Sequence, residues 1–534
     1  MKSEKLFDSI TEIDEKYIEE AKEEKIPKRK PVILKIAGMA AAFVVGVVAL
    51  GTAGFLLFPG AGAGGGTNRE PGSDYMSYAG PAFPLAAIEN TEGLLFEREI
   101  NFDFSPYYTY QESYESGKGE TVYYDSWDND AIIRDNYTVT NTTDEDITFT
   151  AVYPFAGNIN TPVSRIPQIT VDGKSVETEL KIGPYSGRFA SAWGDNSETE
   201  RLNLSSLESW DEYKTLLESG EYLKDAFAEN PKMEQQVKVY SFKIEYNVTM
   251  DEFDEIENPD AVVAFDYNEE ETEVFFYGFN GMSWNSEEGW VKASSFIPKS
   301  FNPDFENHQI YIIVMGEDID NISVKSVAGE AKGSSWDNRE ETDSFSIETE
   351  KYESTLGEVI YGIISDYDYE AYYGADYEPT VRNLISDEEY LGYVAEYMYA
   401  YGQLSEDPAE RYYGGRLDDV ISETGHVSRV IYVTFEVTVP AGETVEIGTK
   451  TVREASYDFF GSREKMDLEG FDMVTKLGTN INIIKQTASV SNTEEIEIVY
   501  NNFGFDIPNG ILNVILGEEE HYWMEICKIR DEVN

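Results

Sequence analysis

Cysteine is all but absent: Cys527 stands alone in 534 residues, so no internal disulfide can form and multi-cysteine zinc ribbons are excluded. Histidine is scarce too, and His308, His426 and His521 lie far apart, outside any H-E-x-x-H spacing. Basic residues are outnumbered, 41 Lys and Arg against 102 Asp and Glu, which leaves a formal charge of −61. A surface that acidic repels phosphate backbones, so no nucleic-acid partner is expected. Neither a G-x-S-x-G elbow nor a Walker loop nor a G-x-G-x-x-G fingerprint is present in a strand-to-helix context, and Gly183-Pro-Tyr-Ser-Gly187 has its Ser misplaced. No catalytic residue, no cofactor and no enzyme activity is expected on these grounds.

Aromatic residues, by contrast, are plentiful. The 37 Tyr, 28 Phe and 7 Trp give the chain enough apolar mass to fold despite its charge. At about 100–200 residues per domain the length suits two to four domains.

From Ile36 to Phe58 no charge interrupts the sequence, and a helix over these residues would reach about 34 Å, enough for a hydrocarbon layer of about 30 Å. Lys28, Arg29, Lys30 and Lys35 precede it while Arg69 is the first base after it, so the positive-inside rule puts the N-terminus in the cytoplasm and the C-terminus outside. A cleaved signal peptide competes, since Ala61-Gly62-Ala63 fits a cleavage site. The apolar run is too long and the preceding segment too extended for one. The expected organisation is a cytoplasmic segment at 1–31, a transmembrane helix at 32–58 and a Gly-rich stalk at 59–92. Residues 1–35 hold nine bases and nine acids, so the entire charge deficit falls after them.

Leu6, Ile10, Ile13, Tyr17 and Ala21 form one stripe of an amphipathic helix that Pro27 ends. So short a helix is marginal alone in water, which points to a cytoplasmic protein partner through Leu6, Ile10, Ile13 and Tyr17, or to contact with the inner leaflet. The opening MKSEKLFDSITEIDEKYIEEA, the basic cluster and the single span resemble the N-termini of clostridial single-pass membrane proteins with an anti-sigma-factor-like start. The resemblance covers about the first 60 residues and implies a Gram-positive protein with its C-terminus outside. Zinc-type anti-sigma segments carry a His and paired Cys that are missing here, so any sigma-factor contact implied by the resemblance would use the short helix.

Beyond the stalk, β-branched and aromatic residues alternate with polar ones, as in Tyr137–Thr142, Ile147–Tyr153 and Ile169–Leu180. Asp172-Gly173 is a hairpin signal and Pro440-Ala-Gly442 a turn. The fold expected is mainly β with helical insertions: two β-sandwich-like extracellular units, 93–345 and 346–534, with helices at about 354–423 and another near Ser206–Ala228. Further strands are expected at Val237–Thr249, Ala261–Phe265, Glu273–Tyr277, Gln309–Met315, Val427–Val439, Ile481–Gln486, Glu495–Tyr500 and Tyr522–Ile529.

Acidic clusters at Asp125–Asp130, Asp318-Ile-Asp320 and Asp366–Glu370 offer hard oxygen ligands for calcium, yet none has EF-hand spacing and a solvated acidic face is the simpler reading. Tyr123, Trp127, Trp284 and Tyr372 stand beside acids and would suit a sugar-stacking platform, although sandwich cores also consume aromatics and are the simpler use. Cys527 fits a small buried residue. The function expected is a membrane-anchored bacterial surface protein with an acidic extracellular binding or sensing region, relaying to a cytoplasmic partner. A purely adhesive module and a surface hydrolase are the alternatives.

Overall fold

The computed structural model describes residues 79–529 except 116–120, 186–230, 286–287, 302–307, 331–338, 367–377, 401–402, 405–415, 428, 459–466 and 477. The expected inner helix with Leu6, Ile10, Ile13 and Tyr17, the expected span at 32–58 and the expected helix at 206–228 lie outside these residues. Among the described residues no helix is long and apolar enough to cross a membrane.

Strands dominate, as the alternation predicts. The first group is β1 (Ala86–Ala87), β2 (Leu94–Asp103), β3 (Tyr108–Glu115), β4 (Thr121–Asp128), β5 (Ala131–Asn141), β6 (Ile147–Gly157), β7 (Gln168–Val171), β8 (Lys174–Ser175) and β9 (Glu179–Tyr185). The second is β10 (Gln236–Tyr246), helix α1 (Met250–Asp254), β11 (Asp260–Asp266), β12 (Thr272–Tyr277), β13 (Gly281–Asn285), β14 (Trp290–Phe296), β15 (Tyr311–Gly316), β16 (Asp320–Ala328), β17 (Glu340–Glu341) and β18 (Phe345–Thr355). Helices α2 (Leu356–Asp366), α3 (Asp387–Ala400) and α4 (Leu417–His426) follow; the first two lie inside the expected interval 354–423, and α4 runs three residues past its end. The last group is β19 (Arg429–Val439), β20 (Thr444–Arg453), β21 (Tyr457–Asp458), β22 (Glu469–Val474), β23 (Ile483–Ser491), β24 (Ile496–Asn501), β25 (Asn513–Ile515) and β26 (His521–Lys528).

Pairing joins the first group to the last. A seven-stranded sheet has the order β25-β23-β2-β5-β20-β7-β8, and a four-stranded one the order β1-β6-β19-β9. Within them β2 runs parallel to β23, with Phe102 opposite Val490, while β5 pairs antiparallel with β20 and β6 with β19. The expected boundary at 345/346 is therefore crossed by three long ladders. Alternation tells which face of a strand is buried, not which strand lies beside it. The second group forms its own sandwich, β12-β15-β10-β18 against β13-β14-β11-β16-β17, filled by Phe242, Phe265, Phe276, Ile312 and Val314. It enters and leaves between β9 and β19, which pair with each other through Ile182 and Ile431, so it is an insertion.

Order also begins earlier than the expected end of the stalk at residue 92. Phe83, Leu85, Ala86 and Ala87 are buried, and β1 pairs with β6. Pro81 to Ile88 carries apolar surface worth removing from water, unlike the glycine run upstream. At Asp172-Gly173 both residues have positive φ, 49° and 73°, and close the β7–β8 hairpin as expected.

One face of the seven-stranded sheet is covered by two different sheets. Leu94 and Phe96 on β2 and Tyr137 and Val139 on β5 pack with Phe149, Ala151 and Phe435 of the sheet containing β6 and β19. Farther along the same face, Ile100, Phe102 and Ile133 pack with Phe471, Met473 and Met524 of the sheet β21-β22-β26-β24. Arg98 and Asp135 sit on that face between the two cores, each with a side chain at 0% exposure. Arg98 donates Nε to Asp135 Oδ1 at 2.8 Å, Nη2 to Oδ2 at 2.8 Å and Nη1 to the Val474 carbonyl at 2.9 Å. Tyr137 Oη donates to the same carboxylate at 3.0 Å and accepts from the Leu85 amide at 2.8 Å. The ion pair thus ties both covering layers and the residue 83–85 segment to one point, and the carboxylate holds the guanidinium pKa above its ordinary value despite burial.

Candidate functional site

Strands β2 and β5 pair along their whole length, from Leu94 opposite Asn141 to Asp103 opposite Ile132. Between them the chain leaves the sheet and returns as a separate two-stranded arm, β3 and β4, from Tyr108 opposite Asp128 to Glu115 opposite Thr121. No other described strand pairs with either outer edge of this arm. Residues on both of its faces meet solvent: Tyr108 and Tyr124 on one, Thr109, Gln111, Ser113 and Tyr123 on the other. Directly paired and alternate residues share a face, so Tyr108, Tyr110 and Tyr124 stand together, with the Tyr108 and Tyr110 rings 5.9 Å apart. Tyr108 is 48% exposed, Tyr124 45% and, on the opposite face, Tyr123 65%.

The arm has a built base. Tyr107, the residue before β3, is buried and donates its hydroxyl to Glu469 Oε2 at 3.1 Å. Asn129, the residue after β4, donates its amide to Glu469 Oε1 at 2.9 Å. A single carboxylate at the start of β22 thereby holds both legs. Burial raises its pKa, the bonds from Asn129 and Tyr107 oppose that, and Asp458 and Glu454 raise it further. On the flank, Asp103 accepts from Asn492 at 2.7 Å and pairs with Arg134; these bonds and that from the Ser105 amide outweigh burial and hold its carboxyl at about 2. Burial raises the pKa of Asp130, and the Arg165 guanidinium 3.5 Å away pulls it back.

This geometry supplies the first expected outcome. Replacing Glu469 with Ala removes both acceptors, and at roughly 1 kcal/mol per hydrogen bond amide exchange within the arm should quicken by about tenfold to a hundredfold. Exchange in β2 and β5 should hardly change. Equal exchange in the arm of both proteins would show that Glu469 does not fasten it.

The residues singled out from sequence are dispersed. His308 Nε2 lies 3.1 Å from Ser295 Oγ, His426 meets Asn160 at 3.3 Å, and His521 meets Asp472 Oδ2 at 2.8 Å. The Ser295–His308 contact has the distance of a nucleophile and base, but Ser295 is 1% exposed and burial lowers the imidazole pKa to about 4. Such an imidazole is a neutral packed group. Asp318 is engaged by the Tyr240 hydroxyl at 2.8 Å, by Lys351 and by the Ile319 amide. Asp366 accepts from Gln309 at 3.2 Å, and the rest of that cluster lies outside the described residues. Among the described residues no group of three or more His, Cys, Asp or Glu gathers to hold a metal. Cys527, expected to be buried, is a half-buried thiol on β26 outside any disulfide.

Tyr123 and Trp284 are not core residues, against the simpler use expected for them. They stand 65% and 49% exposed, one on the arm and one on the edge strand β13. Glu469 is the contributor that sequence reasoning missed: it is one acid among 102, and 340 residues separate it from Asn129. Comparison with known protein families, with curated proteins and with solved structures finds no match.

Proposed function

We propose that this chain is a single-pass, membrane-anchored bacterial surface protein whose acidic β-rich region binds or senses an external ligand, and that the β3–β4 arm is the contact element. The observation that carries the reading is the exposure of Tyr108, Tyr123 and Tyr124 on a strand pair to which no other described strand pairs. Folding gains less from half-exposed tyrosine rings than from buried ones, whereas a rigid ring with a polar tip makes large contact area at low entropic cost when a partner arrives. The clamp at Glu469 supports the reading, since it presents the arm from a fixed base. Topology is supported by the charge-free run Ile36–Phe58 with bases ahead of it.

A relay is part of the proposal. The stripe Leu6, Ile10, Ile13 and Tyr17 supplies an apolar face for a cytoplasmic protein, a sigma factor being the kind the N-terminal resemblance implies. Residues 1–31 used as bait should then retain such a protein and lose it when Leu6 and Ile10 become Asp. Unaltered function after deletion of 1–27 would leave an adhesive module instead.

Outward display is tested by cysteine labelling. In a Cys527→Ser background, Tyr123→Cys places a thiol on the exposed face of the arm, and a membrane-impermeant maleimide should label it on intact cells. Labelling that requires lysis would overturn the reading.

A further inference from the structure

An open strand edge, an aromatic face and negative charge coincide on the arm, and each restricts what can dock there. Both outer edges of the arm carry backbone amides and carbonyls that no other described strand pairs. Such an edge is a template for an added strand. The two strands of the arm hold Glu112, Glu115, Asp125 and Asp128 and no Lys or Arg. Acid along an edge deters pairing between copies of this chain, because like charges would be brought face to face. It favours a strand of opposite sign. Tyr108, Tyr110 and Tyr124 share one face with side-chain spacing set by the pleat, so alternate residues of an added strand would pass over or beside their rings. Lysine ammonium and arginine guanidinium groups are attracted to tyrosine faces, and carboxylates nearby add to that attraction. The net charge of −61 steers a cationic segment toward the protein at long range.

We propose that the β3–β4 arm receives an extended, lysine- or arginine-rich segment of a partner protein as an added third strand, its cations lying over the Tyr108–Tyr110–Tyr124 face. The proposal rests on the reading of the chain as an outward-facing binding protein. The two fail differently: if Tyr123→Cys is labelled on intact cells but no cationic strand docks at the arm, this proposal falls alone, whereas absence of labelling removes the reading beneath it.

The test uses the full chain in detergent or nanodiscs and a short peptide alternating Lys and Val, with its Glu and Val counterpart as control. The Lys peptide should bind and weaken as salt is raised, and the Glu peptide should not bind. Tyr108→Ser, Tyr110→Ser and Tyr124→Ser together should weaken binding by about tenfold to a hundredfold, the sum expected of three exposed cation–π contacts. The corresponding Phe triple keeps the ring faces and should stay within a fewfold of the parent, which separates loss of rings from loss of fold. Methylating alternate backbone nitrogens of the peptide preserves its charge but blocks strand addition, and should cost at least about tenfold, the equivalent of losing a hydrogen bond or two. Equal binding by the Ser triple and the parent, or equal binding of the methylated peptide, would reduce the effect to general attraction by an acidic surface and overturn the proposal. So would retention of a neutral oligosaccharide that the Ser triple loses while its peptide binding is intact, since the arm would then be a sugar platform.

Discussion

Replacing Arg98 with Met should lower the stability of the β-rich region by about 3–5 kcal/mol, the range seen when one partner of a buried ion pair is removed. The reason lies in where the pair sits. Arg98 and Asp135 are both fully buried between two apolar cores, and Met would leave the Asp135 carboxylate without its counter-charge. The Tyr137 hydroxyl would still donate to it, but a neutral donor offsets only part of the cost. The carbonyls of Val474 and Phe83 would lose their donor as well, loosening both the covering sheet and the N-terminal segment. Replacing both charges, Arg98→Met with Asp135→Leu, should recover much of the loss, because apolar groups of similar volume need no partner. Urea denaturation measures both variants. A single replacement costing less than about 1 kcal/mol would mean that water reaches the pair.

The second large effect concerns pH. Asp418 lies in the first turn of α4 and accepts from the Gly278 amide at 2.9 Å, joining the helix layer to the end of β12. Gly278 has φ +78°, and a Cβ there would stand 2.0 Å from the Gln309 carbonyl, so the turn that presents this amide needs glycine. Burial raises the Asp418 carboxyl to about 6; the Gly278 bond and Arg416 lower it, and Asp419 raises it. The ordinary carboxyl value is 3.8, so the folded state holds a proton that the unfolded state has released across the interval between the two. Stability from this group is greatest below that interval, declines as pH rises through it and stays lower above about 6. Two units correspond to about 3 kcal/mol. Asp418→Asn can still accept from Gly278 without charge. It should therefore flatten this part of the pH dependence and raise stability at neutral pH by up to about 3 kcal/mol, less whatever the charged acceptor adds to the Gly278 bond. Parallel urea titrations across this range decide it, and an unchanged slope would show that Asp418 does not carry the titration.

The strands themselves are legible in the sequence. Along β5 every second residue from Ala131 to Asn141 is buried, and the Asp172-Gly173 turn falls where its chemistry asks. Helices α2 and α3 likewise lie where the period changes from two to 3.6. Connectivity is not legible, because β2 finds β23 and β5 finds β20 across most of the chain, and nothing local in either strand names its neighbour. Arg98 and Asp135 interrupt inward-facing positions of two strands, a mismatch that makes sense only once the strands are side by side. The arm is half legible. Its tyrosines beside acids suggest a stacking surface, but alternation is the same for a strand with a covered face and one without, so exposure of Tyr123 and Tyr124 could not be read from spacing.

Amide hydrogen exchange of the full chain, with and without the alternating Lys and Val peptide, locates the contact without altering a residue. An arm that binds by strand addition predicts slower exchange confined to the arm, in Tyr108–Glu115 or in Thr121–Asp128 according to which outer edge gains the added strand. Protection spread over the acidic sheets with none in the arm, or no protection while the peptide is bound, would contradict it.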